Sequence, residues 1–312
     1  MIEAAGLVAA SFVAATLSYY LVEQPALRAF RSAPLRPVLV IGGGALLATA
    51  AGSLLLSFNA DKIGFLPSHV RQIAAFEDYR ATPYYSYQFR RGICFRTAAD
   101  SDIPLRPECL RLSETKPDMV VLGDSHAAQY WRALSLRFPE RNVIQATSSG
   151  CRPVIGGEGA PRCREIVDLV LGPMLDSGKI ETIVLAGRWE PEDLPQIRPT
   201  LRRIREANTR VVLVGPGLEY QGSFPSILAR AEWHRYPRSE VDELREVGPF
   251  EMNVRLRMIA QAENVPYVDV QKIVCPSGQC MLFEPNGAPM LFDSNHFTYP
   301  ATRHVVRQMA EI

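Results

Sequence analysis

From Asp118 onward the chain alternates between two kinds of segment. Five short β-rich runs, DMVVLG, NVIQAT, ETIVLAG, RVVLVG and PYVDV, mostly end at glycine or another small residue. Helical patterns lie between and after them, at His126–Arg137, Arg164–Leu175, Arg198–Ala207, Val241–Glu263 and Pro300–Glu311. Strands that alternate with helices pair in parallel, and near-continuous apolar strands are buried on both faces. The pattern predicts an α/β domain over 118–312. The longest helical stretch, 241–263, has a candidate break at Gly248-Pro249. In such sheets ligands bind outside the carboxyl ends of the strands.

The first run leads into VVLGDSHAAQYW, Val120 to Trp131. Ser125 falls just past the strand, at the start of the next helix, with its hydroxyl toward that carboxyl edge. Its amide is free, because the first amides of a helix have no internal partner. A free amide beside a nucleophile is half of an oxyanion hole. Taken alone, Gly-Asp-Ser is also a common turn and serine a good helix cap. A serine nucleophile needs a base, and the base needs an orienting acid. FDSNHFT supplies both as Asp293 and His296, in a turn before the last helix. Asp124 is expected to brace its turn, and His126 is read as a helix-start residue that could also touch substrate.

Two uncharged stretches, Ala4–Val22 and Val38–Phe58, precede this domain. Each has about the 20 apolar residues that cross a bilayer. A signal peptide would leave the second stretch unexplained. The loop between them holds Arg28, Arg31 and Arg36, whereas the later flank, Asp61 and Lys62, is not strongly basic. The positive-inside rule puts the arginine loop in the cytoplasm, with Met1 and everything from about residue 60 outside.

All six cysteines lie in that outer part. They cluster as neighbours, so of the 15 possible connectivities the simplest is Cys94–Cys109, Cys151–Cys163 and Cys275–Cys280. Disulfides require an oxidising compartment, which agrees with the charge asymmetry. Zinc is a weaker reading, since there is no Cys-x-x-Cys pair and no histidine at ligand spacing; no metal is expected. The segment 59–117, with FEDYRATPYYSYQFRRGICF, is too aromatic for disorder and is read as a connector packed on the main domain. A net charge of +1 over 312 residues leaves no nucleic-acid footprint.

GDSH and DSNH resemble the first and last blocks of the SGNH hydrolase superfamily, over roughly 118–312. The resemblance implies a flavodoxin-like parallel sheet and a triad of Ser125, His296 and Asp293. SSGC offers Gly150 where that family places an oxyanion glycine. VLAGRW stands where the family usually has Gly-x-Asn, which leaves Arg188 or Trp189 as third oxyanion donor or substrate contact. DSNHFTYPAT lacks the glycine often found after the histidine, and Pro300 stands near that place.

LSYYLVEQPALR, Leu17 to Arg28, resembles the end of the last conserved helix of the membrane acyltransferase-3 family. Some members carry one more span and then a periplasmic SGNH domain, and O-acetylate surface glycans such as lipopolysaccharide O-antigen. SGCRP and VVLAGRW look like the usual middle blocks of that group. The implied organisation is two transmembrane helices over 1–58, a periplasmic connector over 59–117 and a catalytic domain over 118–312, anchored in a bacterial inner membrane. The implied chemistry is transfer of acetyl through an acetyl-serine to a glycan hydroxyl, with no bound cofactor. The acetyl donor would arrive through an acyltransferase-3 module, in the same full-length chain or in a separate partner, whose arginine and histidine motifs would lie upstream. Trp131, Trp189 and Trp233 are candidate aromatic faces for the acceptor sugar. The same triad would serve an esterase that removes acetyl with water. Its intactness argues against a binding domain that has lost catalysis.

Overall fold

The computed structural model describes residues 2–31, 34–58, 66–100, 106–157 and 159–312. It divides into two compact units, Met1–Phe65 and Leu66–Ile312. In the first unit, the helix Ile2–Ser18 passes through a π-helical turn, Tyr19–Glu23, into Gln24–Phe30. A second helix runs Leu35–Phe58. Within it, Arg36–Ser57 has a mean hydropathy of 2.0 and is the one helix among the described residues long and apolar enough to cross a membrane. At about 1.5 Å per residue it spans roughly 33 Å, against a hydrocarbon core of about 30 Å. Met1, Asp61 and Lys62, used in the charge argument, lie outside the described residues.

The second unit is built on a six-stranded sheet: β1 (Phe95–Arg96), β2 (Asp118–Gly123), β3 (Asn142–Ser148), β4 (Ile180–Ala186), β5 (Arg210–Val214) and β6 (Tyr267–Val268). The order is β1-β3-β2-β4-β5-β6 and every pair is parallel. The five expected strands are β2 to β6, the last shorter than PYVDV suggests. The added edge strand, β1, comes from the segment ahead of Asp118. With β3 on one side of β2 and β4 on the other, the chain changes direction at β2, and its carboxyl end is the switch point.

Side chains alternate across the strands and feed two cores. Met119 and Val121 face one core, with Val305 and Val306 of the helix Tyr299–Gln308. Val120 and Leu122 face the other, with Ile166, Leu201 and Leu256. Burial on both faces is why β2, β4 and β5 read as near-continuous apolar runs, whereas β3 also buries the polar Gln145, Thr147 and Ser148. The stretch 241–263 does break, into Arg238–Glu243 and Gly248–Ala262. Pro249 sits in the first turn of the second piece, where a missing amide hydrogen is harmless. The helix Phe224–His234, which buries Phe224, Leu228 and Ala229, has no counterpart in the sequence reading.

A third cluster is aromatic. Tyr79, Tyr85, Phe89 and Phe95 meet Phe292 and Ala128. Residues 66–100 thus pack into the same unit as the sheet. The disulfides Cys94–Cys109, Cys151–Cys163 and Cys275–Cys280 are all present.

Candidate active site

The site starts where β2 runs out. Gly123 has φ +152°, and a Cβ there would stand 1.8 Å from the Ala186 carbonyl oxygen. Only glycine lets β2 end this close against β4. Asp124 follows, buried, and caps the helix Ser125–Arg137: its Oδ1 accepts the His126 amide at 2.7 Å. Its Oδ2 accepts the Arg188 amide at 2.9 Å. Asp124 therefore ties the end of β2 to the loop after β4, and both its oxygens are engaged away from Ser125. The Ser125 amide is in the first turn, and no hydrogen bond among the described residues uses it.

The second half of the site is the turn Asp293–His296. Oδ1 of Asp293 accepts the amides of Asn295 at 3.0 Å and His296 at 2.8 Å. Both carboxylate oxygens face Nδ1 of His296, at 3.0 and 2.9 Å. A carboxylate there fixes the proton on Nδ1 and leaves Nε2 to accept. Nε2 is 2.7 Å from Oγ of Ser125. The turn is held from outside by three bonds: Phe224 amide to Asp293 carbonyl, Tyr220 amide to Ser294 carbonyl, and Phe297 amide to Oε1 of Gln129.

The electrostatics follow from this packing. Burial alone would raise the Asp293 carboxyl, but the bonds and charge from His296, the Asn295 amide and Arg80 outweigh it and hold the group well below the usual carboxylate range. Phe292 stacks on His296 with ring centroids 5.6 Å apart and planes at 16°. On another side lies His126, buried, with centroids 4.8 Å apart. Burial, helped by His296, pushes the His126 imidazole down to about 4, so it is neutral near pH 7. Its Nε2 is buried without a partner among the described residues. His126 is thus a wall of the site.

The expected oxyanion residues separate. Gly150 sits in the turn after β3 with φ +70°. The amides beside it are taken, Ser149 by the Arg96 carbonyl and Cys151 by the Ser148 carbonyl, while no described hydrogen bond uses that of Gly150. Arg188 and Trp189 already use several of their donors elsewhere. The Arg188 amide is on Asp124, its guanidinium forks onto Glu219 at 2.7 to 3.2 Å, and Trp189 Nε1 donates to the Val214 carbonyl at 2.8 Å.

Two clefts of about 350 Å³ each border the Asp293–His296 turn. One exposes Ser125 and His296 over Phe89, Phe95 and Phe292, with Arg80 and Arg91 among its lining. The other has Ser294 at its edge, with the Arg188–Glu219 pair and Glu190, Glu246 and Glu251. None of the three tryptophans lines the first cleft; Trp189 lines the second. Trp131 is anchored through Nε1 to the Val143 carbonyl, and Trp233 is 40% exposed on the helix Phe224–His234. Arg80 and the buried pair Gln88 and Gln129 belong to the site and went unmarked in the sequence. Arg80 reaches Asp293 across 213 residues, a separation no local pattern can signal.

The family model of the SGNH domain (fused to AT3 domains) matches residues 93–311. The chain belongs to this family. The solved periplasmic domain of a lipopolysaccharide acetyltransferase from Salmonella ser. Paratyphi A shares the fold of this SGNH domain, with a TM-score of 0.63 at 17% identity, over 78% of this chain and 98% of that one. The native aryl esterase of M. smegmatis matches with a TM-score of 0.39 at 15% identity, over 62% and 96%. A GDSL-like lipase from Bacteroides thetaiotaomicron matches with 0.38 at 12%, over 76% and 97%. No curated protein sequence matches the chain.

Proposed function

We propose that this SGNH domain is the periplasmic catalytic part of a membrane-bound O-acetyltransferase that modifies a cell-surface glycan. The observation that carries the reading is the relay from Ser125 Oγ through His296 to the Asp293 carboxylate, with links of 2.7 to 3.0 Å. Ser125 attacks the acetyl carbonyl while His296 Nε2 takes the serine proton and hands it to the leaving group. The Ser125 and Gly150 amides stabilise the oxyanion. A sugar hydroxyl then gives its proton to His296 and attacks the acetyl-serine; acetyl leaves on the sugar oxygen, and the proton returns to Ser125.

Membership of a family fused to AT3 domains supports an acyltransferase-3 module as the source of acetyl groups. The shared fold with the periplasmic domain of the Salmonella lipopolysaccharide acetyltransferase supports transfer to a lipopolysaccharide-type glycan. Both N-terminal helices are taken to span the inner membrane, with Arg28, Arg31 and Arg36 on the cytoplasmic side. A product balance tests the chemistry: with an activated acetyl ester, glycan from the source organism should divert acetyl from water to sugar. Acetate alone, or deacetylation of an acetylated glycan without transfer, would make the protein an esterase. A cysteine placed between Arg28 and Arg36 should resist impermeant thiol reagents in intact spheroplasts; labelling there inverts the topology.

A further inference from the structure

Asp293 has more partners than a triad acid needs. The amides of Asn295 and His296 hold Oδ1, and Nη2 of Arg80 holds Oδ2 at 2.7 Å. Arg80 precedes the region 93–311 that the family shares. It stands near the end of the 3-10 segment Ala75–Ala81.

That segment is fixed against the catalytic turn residue by residue. Tyr79, 4% exposed, stacks on Phe292 with centroids 4.5 Å apart and planes at 17°. Its hydroxyl donates to Oε1 of Gln88 at 2.9 Å and accepts the Tyr299 amide at 3.0 Å. Glu77 accepts a hydrogen bond from Ser226. Successive residues thus meet successive residues: Tyr79 on Phe292, then Arg80 on Asp293. The guanidinium carbon also lies 6.0 Å from the centre of the Phe292 ring.

A carboxylate can turn about its Cβ–Cγ bond. The two amides pin one oxygen, and the guanidinium pins the other, so the plane is set with both oxygens on Nδ1 of His296. The Arg80 side chain is 58% exposed, and an ion pair that open to water adds little to folding stability. A charge-assisted hydrogen bond is nonetheless directional, and this one falls on the acid of the relay. We propose that Arg80 is a positioning residue of the triad, delivered by the segment ahead of the family domain. The proposal rests on the triad reading above.

The test uses the full chain in detergent and the rate at which a fluorophosphonate labels Ser125. In that step Oγ bonds to phosphorus, fluoride leaves and the serine proton passes to His296, so neither glycan nor donor need be known. Ser125→Ala checks the underlying reading: if it labels like the wild type, or the wild type does not label, the triad assignment fails whatever Arg80 does. Arg80→Ala and Arg80→Met, the second keeping an aliphatic stem over Phe292, should slow labelling about tenfold or more. Arg80→Lys, which keeps charge and a donor, should recover most of the rate. With 4-nitrophenyl acetate the loss should fall in kcat, with KM within about twofold. Wild-type labelling of Arg80→Ala, beside an unlabelled Ser125→Ala, overturns the proposal. So does a loss confined to KM, or one that Arg80→Lys shares.

Discussion

The two clefts beside the Asp293–His296 turn have equal volumes of about 350 Å³ and opposite charge balance. The first is floored by aromatic rings and lined by two arginines, with no carboxylate among its lining residues. The second is lined by four glutamates, one locked in a fork to Arg188. Cleft size therefore does not mark where chemistry occurs. Ser125 and His296, the proposed nucleophile and base, open on the side floored by rings, where Asp293 is already paired with Arg80.

The comparison can be broken most sharply at the serine. Ser125→Ala and His296→Ala should each lower turnover of a small acetyl ester by about 10³-fold or more, with the tryptophan fluorescence of the fold unchanged. Asp293→Asn should leave more residual activity. Ordinary turnover in purified Ser125→Ala would show that the first cleft is not the reactive one.

Next comes the floor of the first cleft. Phe292 is 2% exposed and touches Tyr79, Tyr85, Phe89 and His296. Phe292→Ala should cost about 3–5 kcal/mol, measured by denaturant unfolding of the full chain. All three tryptophans lie in the second unit, so their emission reports that transition. A cost under about 1 kcal/mol would mean that the aromatic cluster does not hold residues 66–100 to the sheet.

His126 sharpens the comparison because it feels both sides: His296 and Asp124 toward the triad, Glu219 and Arg188 toward the second cleft. Its folded pKa is lowered to about 4 from an unfolded value near 6.5. Between those values the unfolded chain binds a proton that the folded chain refuses. Stability should fall by about 3 kcal/mol as pH drops from 6.5 to 4, and His126→Gln should lose less by about that amount. Asp293 works in a lower window: its lowered pKa gives a stabilisation that is complete above about pH 4 and fades as pH falls further. Equal pH slopes for wild type and His126→Gln would show that this imidazole is not held neutral.

The smallest effect belongs to the second cleft. Arg188 is half exposed, so Arg188→Ala should change stability by less than about 1 kcal/mol and small-ester kcat/KM by no more than about twofold. A tenfold loss would join the two clefts into one functional surface.

What the sequence disclosed depends on range. β2, β4 and β5 are visible because each is buried on both faces and carries a near-continuous apolar run; β3, with the buried polar Gln145, Thr147 and Ser148, is marked by its β-rich Val143-Ile144 and its place in the alternation. Ser125, Asp293 and His296 were visible because their turns carry short, fixed spacings. Asp124 reads from sequence as a brace, and its two amide partners, His126 and Arg188, explain why. The contacts that join distant segments left no local trace. Arg80 on Asp293, Gln88 on the Phe297 carbonyl and Gln129 on the Phe297 amide are each more than 160 residues apart. Arg188 and Trp189 are marked only by position in a motif, and geometry alone shows the Arg188 amide on Asp124 and Trp189 Nε1 on the Val214 carbonyl. The first N-terminal helix illustrates another limit: the uncharged stretch Ala4–Val22 marks neither the π-turn at Tyr19–Glu23 nor the continuation to Phe30, which puts Arg28 on the helix and not in the loop.

The three disulfides join cysteines only 15, 12 and 5 positions apart. Each pair is complete before the next cysteine appears in the sequence. For a chain threaded amino end first into an oxidising compartment, order of arrival and correct pairing are the same thing. An oxidant that simply links each new thiol to the one still waiting makes all three bonds correctly, and no bond has to be broken to reach the native set. For such a chain, order of arrival would do the sorting that an isomerase performs for proteins with crossed bridges.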